Sequence, residues 1–215
     1  MNSLNSMNSI NSMNSLPKIY PITDMRLTGI SHAEQVEKLI AGGARFIQLR
    51  EKHASPKQFY EAAQAAIEIA RRDGAKIIIN DRVDIALALK ADGVHLGQDD
   101  LSPAEARKIL GENAIIGFST HSVGQAIEAV TLPLDYIAVG PVFATETKEN
   151  PDEIVGLEGV RQVRAAIGDF PLVAIGGITT ENFRAVLKAG ADSLAIIKSV
   201  LFPPEKIAEN LRSFT

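Results

Sequence analysis

Short, almost wholly apolar runs alternate along this chain with longer stretches in which apolar residues recur every three or four positions. Such runs are typical of parallel β-strands covered by helices, and the longer stretches are typical of amphipathic helices. After residue 17, the pattern predicts eight strands, at Ile19–Thr23, Phe46–Arg50, Lys76–Asn80, Gly93–Leu96, Ala114–Ser119, Tyr136–Val139, Leu172–Ile175 and Ser193–Ile197.

Helices are predicted between these strands. Residues that cap helix N-termini mark several starts, since Ser31 and Ser102 are each followed three residues later by a glutamate, and Thr179 stands two residues before one. The predicted helices are Ser31–Ala41, Pro56–Arg72, Pro103–Leu110, Ser122–Thr131, Gly159–Ile167 and Thr180–Ala189.

This alternation predicts an α/β fold, a single-domain (β/α)₈ TIM barrel over residues 18–215. An open, doubly wound parallel sheet is the alternative, but such sheets seldom need eight strands in so short a chain. In a barrel of this kind, the catalytic residues lie at the carboxyl ends of the strands and in the loops that follow them.

The composition is that of an ordinary globular protein, 46% hydrophobic and 22% charged, with no cysteine. A net charge of −4 argues against a nucleic-acid partner, and no apolar run approaches the length of a membrane span. We therefore expect a cytoplasmic enzyme that acts on small molecules, with neither nucleic acid nor membrane as partner. The composition does not decide between a monomer and a homo-oligomer.

The N-terminal residues repeat an Asn-Ser unit with single apolar spacers. This stretch lacks the basic and continuous apolar regions of a secretory signal. Residues 1–17 are therefore predicted to form a disordered, low-complexity tail ahead of the catalytic barrel.

The second strand ends in basic residues. Period-two alternation places Gln48, Arg50 and Lys52 on one face, and Ile47 and Leu49 on the other. If the apolar face meets the helices, the cations point into the barrel and need an anionic partner. A diphosphate fits this need, and ion pairs to aspartates of neighbouring strands are the alternative.

Carboxylates follow the third and fourth strands, at Asp81 and Asp100. Carboxylates at adjacent strand ends can share Mg²⁺ with phosphate oxygens. The alternative is that Asp99 and Asp100 only cap the next helix.

The fifth strand ends near Ser119, whose hydroxyl could contact a bound heterocycle, and Ser122 is predicted to cap the following helix. His121 could act as a general acid or base, although a lone histidine is more often structural. His95 is expected to be a core residue whose hydrogen bonds are satisfied.

The later loops predict a second anion site. The segment after strand six carries two threonines and a lysine, as in a phosphate-binding lid or an ordinary solvated loop. Glycines after strand seven, together with the end of strand eight, form the recurrent phosphate site of these barrels, although such a pair can also be a plain turn. The residues of this second site are Thr145, Thr147, Gly177 and the end of strand eight at Ile196, Ile197, Lys198 and Ser199.

An ordered set of motifs resembles the thiamine phosphate synthase family and covers essentially everything after the tail. The motifs are QLREK (Gln48–Lys52), INDR (Ile79–Arg82), HLGQDD (His95–Asp100), GFSTHS (Gly117–Ser122), GPVFATETK (Gly140–Lys148) and AIGGI (Ala174–Ile178). The resemblance implies a Mg²⁺-dependent transferase that joins an aminopyrimidine diphosphate to a thiazole phosphate through a pyrimidine methyl cation.

The resemblance also implies the role of each site residue. Asp81 and Asp100 would bind Mg²⁺, and Arg50, Lys52, Ser119 and Lys148 would be catalytic. The thiazole phosphate would be bound by Thr145, Thr147, Gly177 and Ile197. The pyrimidine diphosphate would be bound by Gln48, Arg50, Lys52, Asn80, Ser119 and Lys148.

One position departs from the family, which usually has serine where this chain has Lys198. Lys198 is expected to contact the thiazole phosphate, unless Ser199 or the backbone serves instead. The main alternative function is a thiazole tautomerase that uses His121, which would need neither the diphosphate residues nor the two carboxylates. A non-catalytic phosphate sensor and a phosphosugar isomerase are further alternatives, and the latter lacks a persuasive acid–base pair.

Overall fold

Eight parallel strands close into a barrel in this computed structural model, which describes residues 16–145 and 152–214. Each strand pairs with the next in sequence, and the last pairs with the first through Ile19 opposite Leu194. The predicted barrel is therefore confirmed. The strands are β1 (Ile19–Thr23), β2 (Phe46–Leu49), β3 (Lys76–Asn80), β4 (Gly93–Leu96), β5 (Ile115–Thr120), β6 (Tyr136–Val139), β7 (Leu172–Ile175) and β8 (Ser193–Ile196).

Helices cover the outside of the barrel. They are α1 (Met25–Thr28), α2 (His32–Ala41), α3 (Pro56–Arg72), α4 (Val83–Leu89), α5 (Pro103–Leu110), α6 (Val123–Ala129), α7 (Gly156–Ile167), α8 (Phe183–Lys188), α9 (Lys198–Leu201) and α10 (Ile207–Arg212), with a 3₁₀ turn at Pro204–Lys206. The six predicted helices are present. In the described ranges, none of the helices is both long and apolar enough to cross a bilayer.

Five of the ten described α-helices, α1, α2, α3, α5 and α6, begin with a side-chain cap. The Ser31 side chain accepts a hydrogen bond from the Glu34 N–H and forms a full capping box. The start predicted at Thr180 is wrong, because α8 begins at Phe183. The Asn182 side chain instead accepts from the Thr179 N–H and holds the intervening residues as a turn.

Two apolar layers follow from the strand alternation. Ile47 and Leu49 pack in the layer between strands and helices, as predicted, and Gln48 is buried on the interior side. The interior layer contains aromatic residues such as Tyr20 and Tyr136. Leu16, assigned to the tail by the sequence, is also buried in this interior layer, whereas residues 1–15 lie outside the described residues.

Candidate active site

Charged side chains meet at one rim because all eight strands run in the same direction. The ends of β1 to β4 are neighbours in the barrel, so the residues that follow them become neighbours as well. Two positively charged side chains lie between negatively charged ones in this part of the rim, at Asp24, Arg50, Lys52, Asp81 and Asp100.

Arg50 is paired with a carboxylate that the sequence analysis did not single out. Its Nη1 lies 3.0 Å from Oδ2 of Asp24, and both side chains are mostly buried. The other oxygen of Asp24 accepts from the Leu27 N–H and caps α1. An aspartate directly after β1, beside the arginine that follows β2, is the sequence signal that could have revealed this pair.

Lys52 forms an ion pair with Asp81, so both cations of strand two have aspartate partners. The predicted alternative of ion pairs to neighbouring strands therefore describes this structure. Asp81 adopts a left-handed backbone with φ of 61°, a conformation that Asp tolerates better than most residues. Its N–H donates to the His95 carbonyl at 2.8 Å, which fixes the turn after β3.

Burial raises the pKa of the Asp81 carboxyl, Lys52 acts in the opposite direction, and the nearby Asp100 carboxylate raises it further. The two carboxylates therefore lie close enough to repel one another. Asp100 accepts from the Gly97 N–H at 2.7 Å, and it is Ser102 that caps α5. The capping alternative for Asp100 is thus wrong.

Two carboxylates of the rim, Asp81 and Asp100, are the candidate ligands for Mg²⁺. Across residues 16–145 and 152–214, no group of three or more acidic or histidine side chains could hold a metal ion. Mg²⁺ usually binds one or two carboxylates and completes its shell with water and substrate phosphates. The close pair Asp81 and Asp100 fits that pattern, in which the ion arrives with a phosphorylated substrate.

A chain of hydrogen bonds crosses the barrel interior below this rim. Gln48 Nε2 donates to the Tyr20 hydroxyl at 2.9 Å, and the hydroxyls of Tyr20 and Tyr136 lie 3.0 Å apart. His95 Nδ1 lies 3.0 Å from the Tyr136 hydroxyl, and its Nε2 lies 2.9 Å from Ser119 Oγ. This hydrogen-bond chain joins two predicted substrate-binding residues, Gln48 and Ser119, through the buried side chains of Tyr20, Tyr136 and His95.

His95 is a satisfied core residue, as predicted, because both ring nitrogens have partners. Burial lowers its pKa to about 4, so the ring is neutral near pH 7. The ring also stacks on Tyr136 at a centroid distance of 5.5 Å. A glycine makes room for this packing, since a Cβ at Gly117 would lie 2.1 Å from Cζ of Tyr136.

Asn80 is buried beside the aspartates, and its Nδ2 has no hydrogen-bond partner among the described residues. Leaving a buried amide donor unmatched costs free energy, which an anionic ligand would recover.

The opposite side of the rim is formed by the loops after β6, β7 and β8. Gly177 has φ of 62°, and a Cβ there would lie 2.5 Å from the Ala144 carbonyl oxygen, so only glycine lets these loops pack. Thr145 lies just beyond this contact, and Thr147 and Lys148 lie outside the described residues.

The strand-eight end joins this loop cluster. Ser199 Oγ donates to the Ile178 carbonyl at 2.8 Å, which ties β8 to the loop after β7. Ile197 is half-buried, and Lys198 is the exposed first residue of α9. Because its proton is directed to Ile178, Ser199 can offer a ligand only acceptor positions.

His121 sits between the two halves of the rim and is half-buried. Its Nδ1 lies 2.7 Å from the Gly140 carbonyl oxygen and 3.4 Å from Asp152 Oδ2. These contacts fix the ring against the loop after β6. Ser122 caps α6 as predicted, through the Gln125 N–H.

Comparisons with known proteins agree with this architecture. The profile of the thiamine monophosphate synthase family matches residues 19–200. The chain is 45% identical over 185 residues to a thiamine-phosphate synthase of Chloroflexus aurantiacus, covering 86% of this chain and 85% of the relative. It is 46% identical over 185 residues to that of Clostridium novyi, covering 86% and 90%.

A solved structure shows the same likeness in three dimensions. The thiamine phosphate pyrophosphorylase of Pyrococcus furiosus superposes with a TM-score of 0.81 at 38% identity, covering 92% of this chain and 93% of that one. Sequence and fold agree over nearly the same residues, and the chain belongs to the thiamine monophosphate synthase family.

Proposed function

We propose that this protein is a transferase that joins an aminopyrimidine methyl diphosphate to a thiazole phosphate, giving thiamine phosphate and diphosphate. The family membership supports the reaction. The observation that carries it in the structure is the row of paired cations and carboxylates above the buried Gln48 and the half-buried Ser119. Charged groups for a diphosphate thus lie beside polar groups for a heterocycle.

Ligand binding exchanges ion pairs rather than creating unpaired charges. Without ligand, Asp24 neutralises Arg50 and Asp81 neutralises Lys52. A diphosphate that arrives with Mg²⁺ brings charges of both signs. Asp81 and Asp100 can then bind the metal while Lys52 and Arg50 contact phosphate oxygens, which avoids the cost of an uncompensated buried charge.

The reaction breaks the C–O bond to diphosphate, and the electron pair leaves with the oxygen. The resulting pyrimidine methyl cation accepts the lone pair of the thiazole nitrogen, which forms the new C–N bond. Arg50, Lys52 and Lys148 would stabilise the charge that develops on the leaving diphosphate. Bound Mg²⁺ would add Lewis-acid stabilisation to the same oxygens. Ser119, Gln48 and Asn80 would hold the pyrimidine half.

The second substrate would bind across the rim, on the loops after β6 to β8. Thr145, Thr147, Gly177 and Ile197 would hold its phosphate, with Lys198 adding a positive charge. The proposal also includes Mg²⁺ dependence and a cytoplasmic location. The cysteine-free composition supports the cytoplasmic location. The relatives described above are named as synthases, and no observation favours a thiazole tautomerase.

The test is a coupling assay with both substrates, with and without Mg²⁺. Asp81→Asn keeps a residue that tolerates positive φ and removes only the charge, so we expect at least about a hundredfold loss of kcat/KM. Asp99→Asn, at an exposed carboxylate outside the site, is the matched control and should match the wild type. A wild type that makes no thiamine phosphate, or an Asp81→Asn variant of full activity, would refute the proposal.

A further inference from the structure

The protons in the hydrogen-bond chain below the rim can be arranged in two directions. In one direction Ser119 can donate a hydrogen bond to a ligand, and in the other it can only accept one. We propose, resting on the function above, that Ser119 accepts a hydrogen bond from His95 and donates its own proton to an unprotonated ring nitrogen of the bound aminopyrimidine. Tyr20, Tyr136 and His95 are then positioning residues, which act on the substrate only through Ser119.

The direction of the hydrogen bonds follows from Gln48, the donor at the far end of the hydrogen-bond chain. An amide nitrogen can only donate, so the Gln48 Nε2 contact at 2.9 Å makes the Tyr20 oxygen an acceptor. The single hydroxyl proton of Tyr20 is then left for Tyr136, whose oxygen lies 3.0 Å away. Tyr136 in turn has its own proton available for His95 Nδ1, also at 3.0 Å.

The same direction of hydrogen bonding continues from His95 to Ser119. A neutral imidazole has one acceptor and one donor nitrogen, and the buried His95 ring has its Nδ1 against the Tyr136 hydroxyl. Since Nδ1 accepts from Tyr136, the proton resides on Nε2, which donates to Ser119 Oγ at 2.9 Å. The serine hydroxyl proton is therefore not used within the chain and can be directed toward a ligand at the half-buried strand end.

The opposite direction would require the Gln48 amide oxygen to face Tyr20. Every proton would then point the other way, and Ser119 would donate to His95. It could only accept from a ligand, and its partner would be the amino group of the pyrimidine. The two directions thus predict different contact atoms on the same substrate.

Substrate analogues distinguish the two in the unmodified protein. Calorimetry with Mg²⁺ would give Kd for the aminopyrimidine diphosphate, for two analogues with one ring nitrogen replaced by C–H, and for one without the amino group. We expect one ring-nitrogen analogue to bind about fivefold to tenfold more weakly than the parent to the wild type. Ser119→Ala should abolish that difference and leave the effect of the missing amino group unchanged.

Two substitutions at one position test the positioning role. His95→Gln retains an acceptor oxygen and a donor N–H about as far apart as the ring nitrogens, whereas His95→Leu retains neither. We expect His95→Gln to keep most of the discrimination between ring-nitrogen analogues, and His95→Leu to lose it. In His95→Leu, KM for the pyrimidine diphosphate should rise while KM for the thiazole phosphate stays constant, which general destabilisation would not produce.

The inference is overturned if Ser119→Ala abolishes discrimination against the analogue lacking the amino group, or if no ring nitrogen matters. A wild type that does not bind the parent diphosphate overturns it as well. The coupling assay judges the proposed function separately, since calorimetry needs no turnover. Discrimination without product would refute the function alone, and product without discrimination would refute this inference alone.

Discussion

Gly117→Ala should destabilise this barrel through a single methyl group. Gly117 lies in β5 directly opposite Tyr136 of β6, and its missing side chain leaves the space that the tyrosine ring fills. An added Cβ would lie 2.1 Å from Cζ and 2.4 Å from the hydroxyl oxygen of that ring. Tyr136 is fully buried and hydrogen-bonded at its hydroxyl, so it cannot turn away without breaking contacts.

The expected cost has two parts. Overpacking of a well-filled core costs about 1–3 kcal/mol. Displacing Tyr136 also weakens its hydrogen bonds to Tyr20 and His95, at about 1 kcal/mol each. The total of about 3–5 kcal/mol is a large share of the roughly 5–15 kcal/mol that stabilises a typical domain.

Urea unfolding of purified variants measures this difference. Gly124→Ala is the matched control, because its Cβ would meet only Ser122 Oγ, at 3.9 Å, and alanine should stabilise α6 by about 0.5–1 kcal/mol. Tyr136→Leu removes the ring, so in the double variant Gly117→Ala should cost at least about 1 kcal/mol less than it does alone. A cost below about 0.5 kcal/mol for Gly117→Ala, or strict additivity with Tyr136→Leu, would refute the steric argument.

Lys198→Ala should raise KM for the thiazole phosphate and spare the pyrimidine diphosphate in steady-state kinetics, and an unchanged KM would dismiss a direct contact. Burial lowers the pKa values of His32 and His95 to about 4, so the unfolded state binds more protons between pH 6.5 and 4. Stability by urea unfolding should therefore fall by about 2 kcal/mol per histidine from pH 7 to pH 5, and His95→Gln should remove its share of that slope. Arg107→Ala, which removes the 2.8 Å ion pair with Asp135 at the opposite rim, should cost about 1–3 kcal/mol of stability and leave kcat/KM unchanged.

Local chemistry made much of this fold predictable. All eight strands were predicted to within one residue at each end, because continuous apolar runs report strands that are buried. Helices α1, α4, α9 and α10 were not predicted, and three of them are only four to six residues long, too short to show a helical period. The predicted start of α8 is misplaced because Thr179 and Glu181 have the spacing of a helix N-terminus. In the structure, the Asn182 side chain instead closes a turn over residues 179–182.

The candidate active site was likewise predicted from the sequence only in part. The alternation Gln48, Arg50, Lys52 predicted an inward polar face, and the carboxylates after β3 and β4 were predicted to lie near one another. The partner of Arg50 was missed, since Asp24 lies 26 residues away and becomes its neighbour only when β1 and β2 pair. Residues Thr147 and Lys148 stay predictions.

The sequence by itself determined the positions of the eight strands, the inward polar face of β2 and the family, because these are recorded in short runs of neighbouring residues. Only the tertiary structure decided that Tyr20 meets Tyr136, 116 residues later, and that His95 reaches Ser119. Those contacts depend on strand register and on the space left by Gly117. Barrel closure fixes both at once, and no local pattern of polar and apolar residues records them.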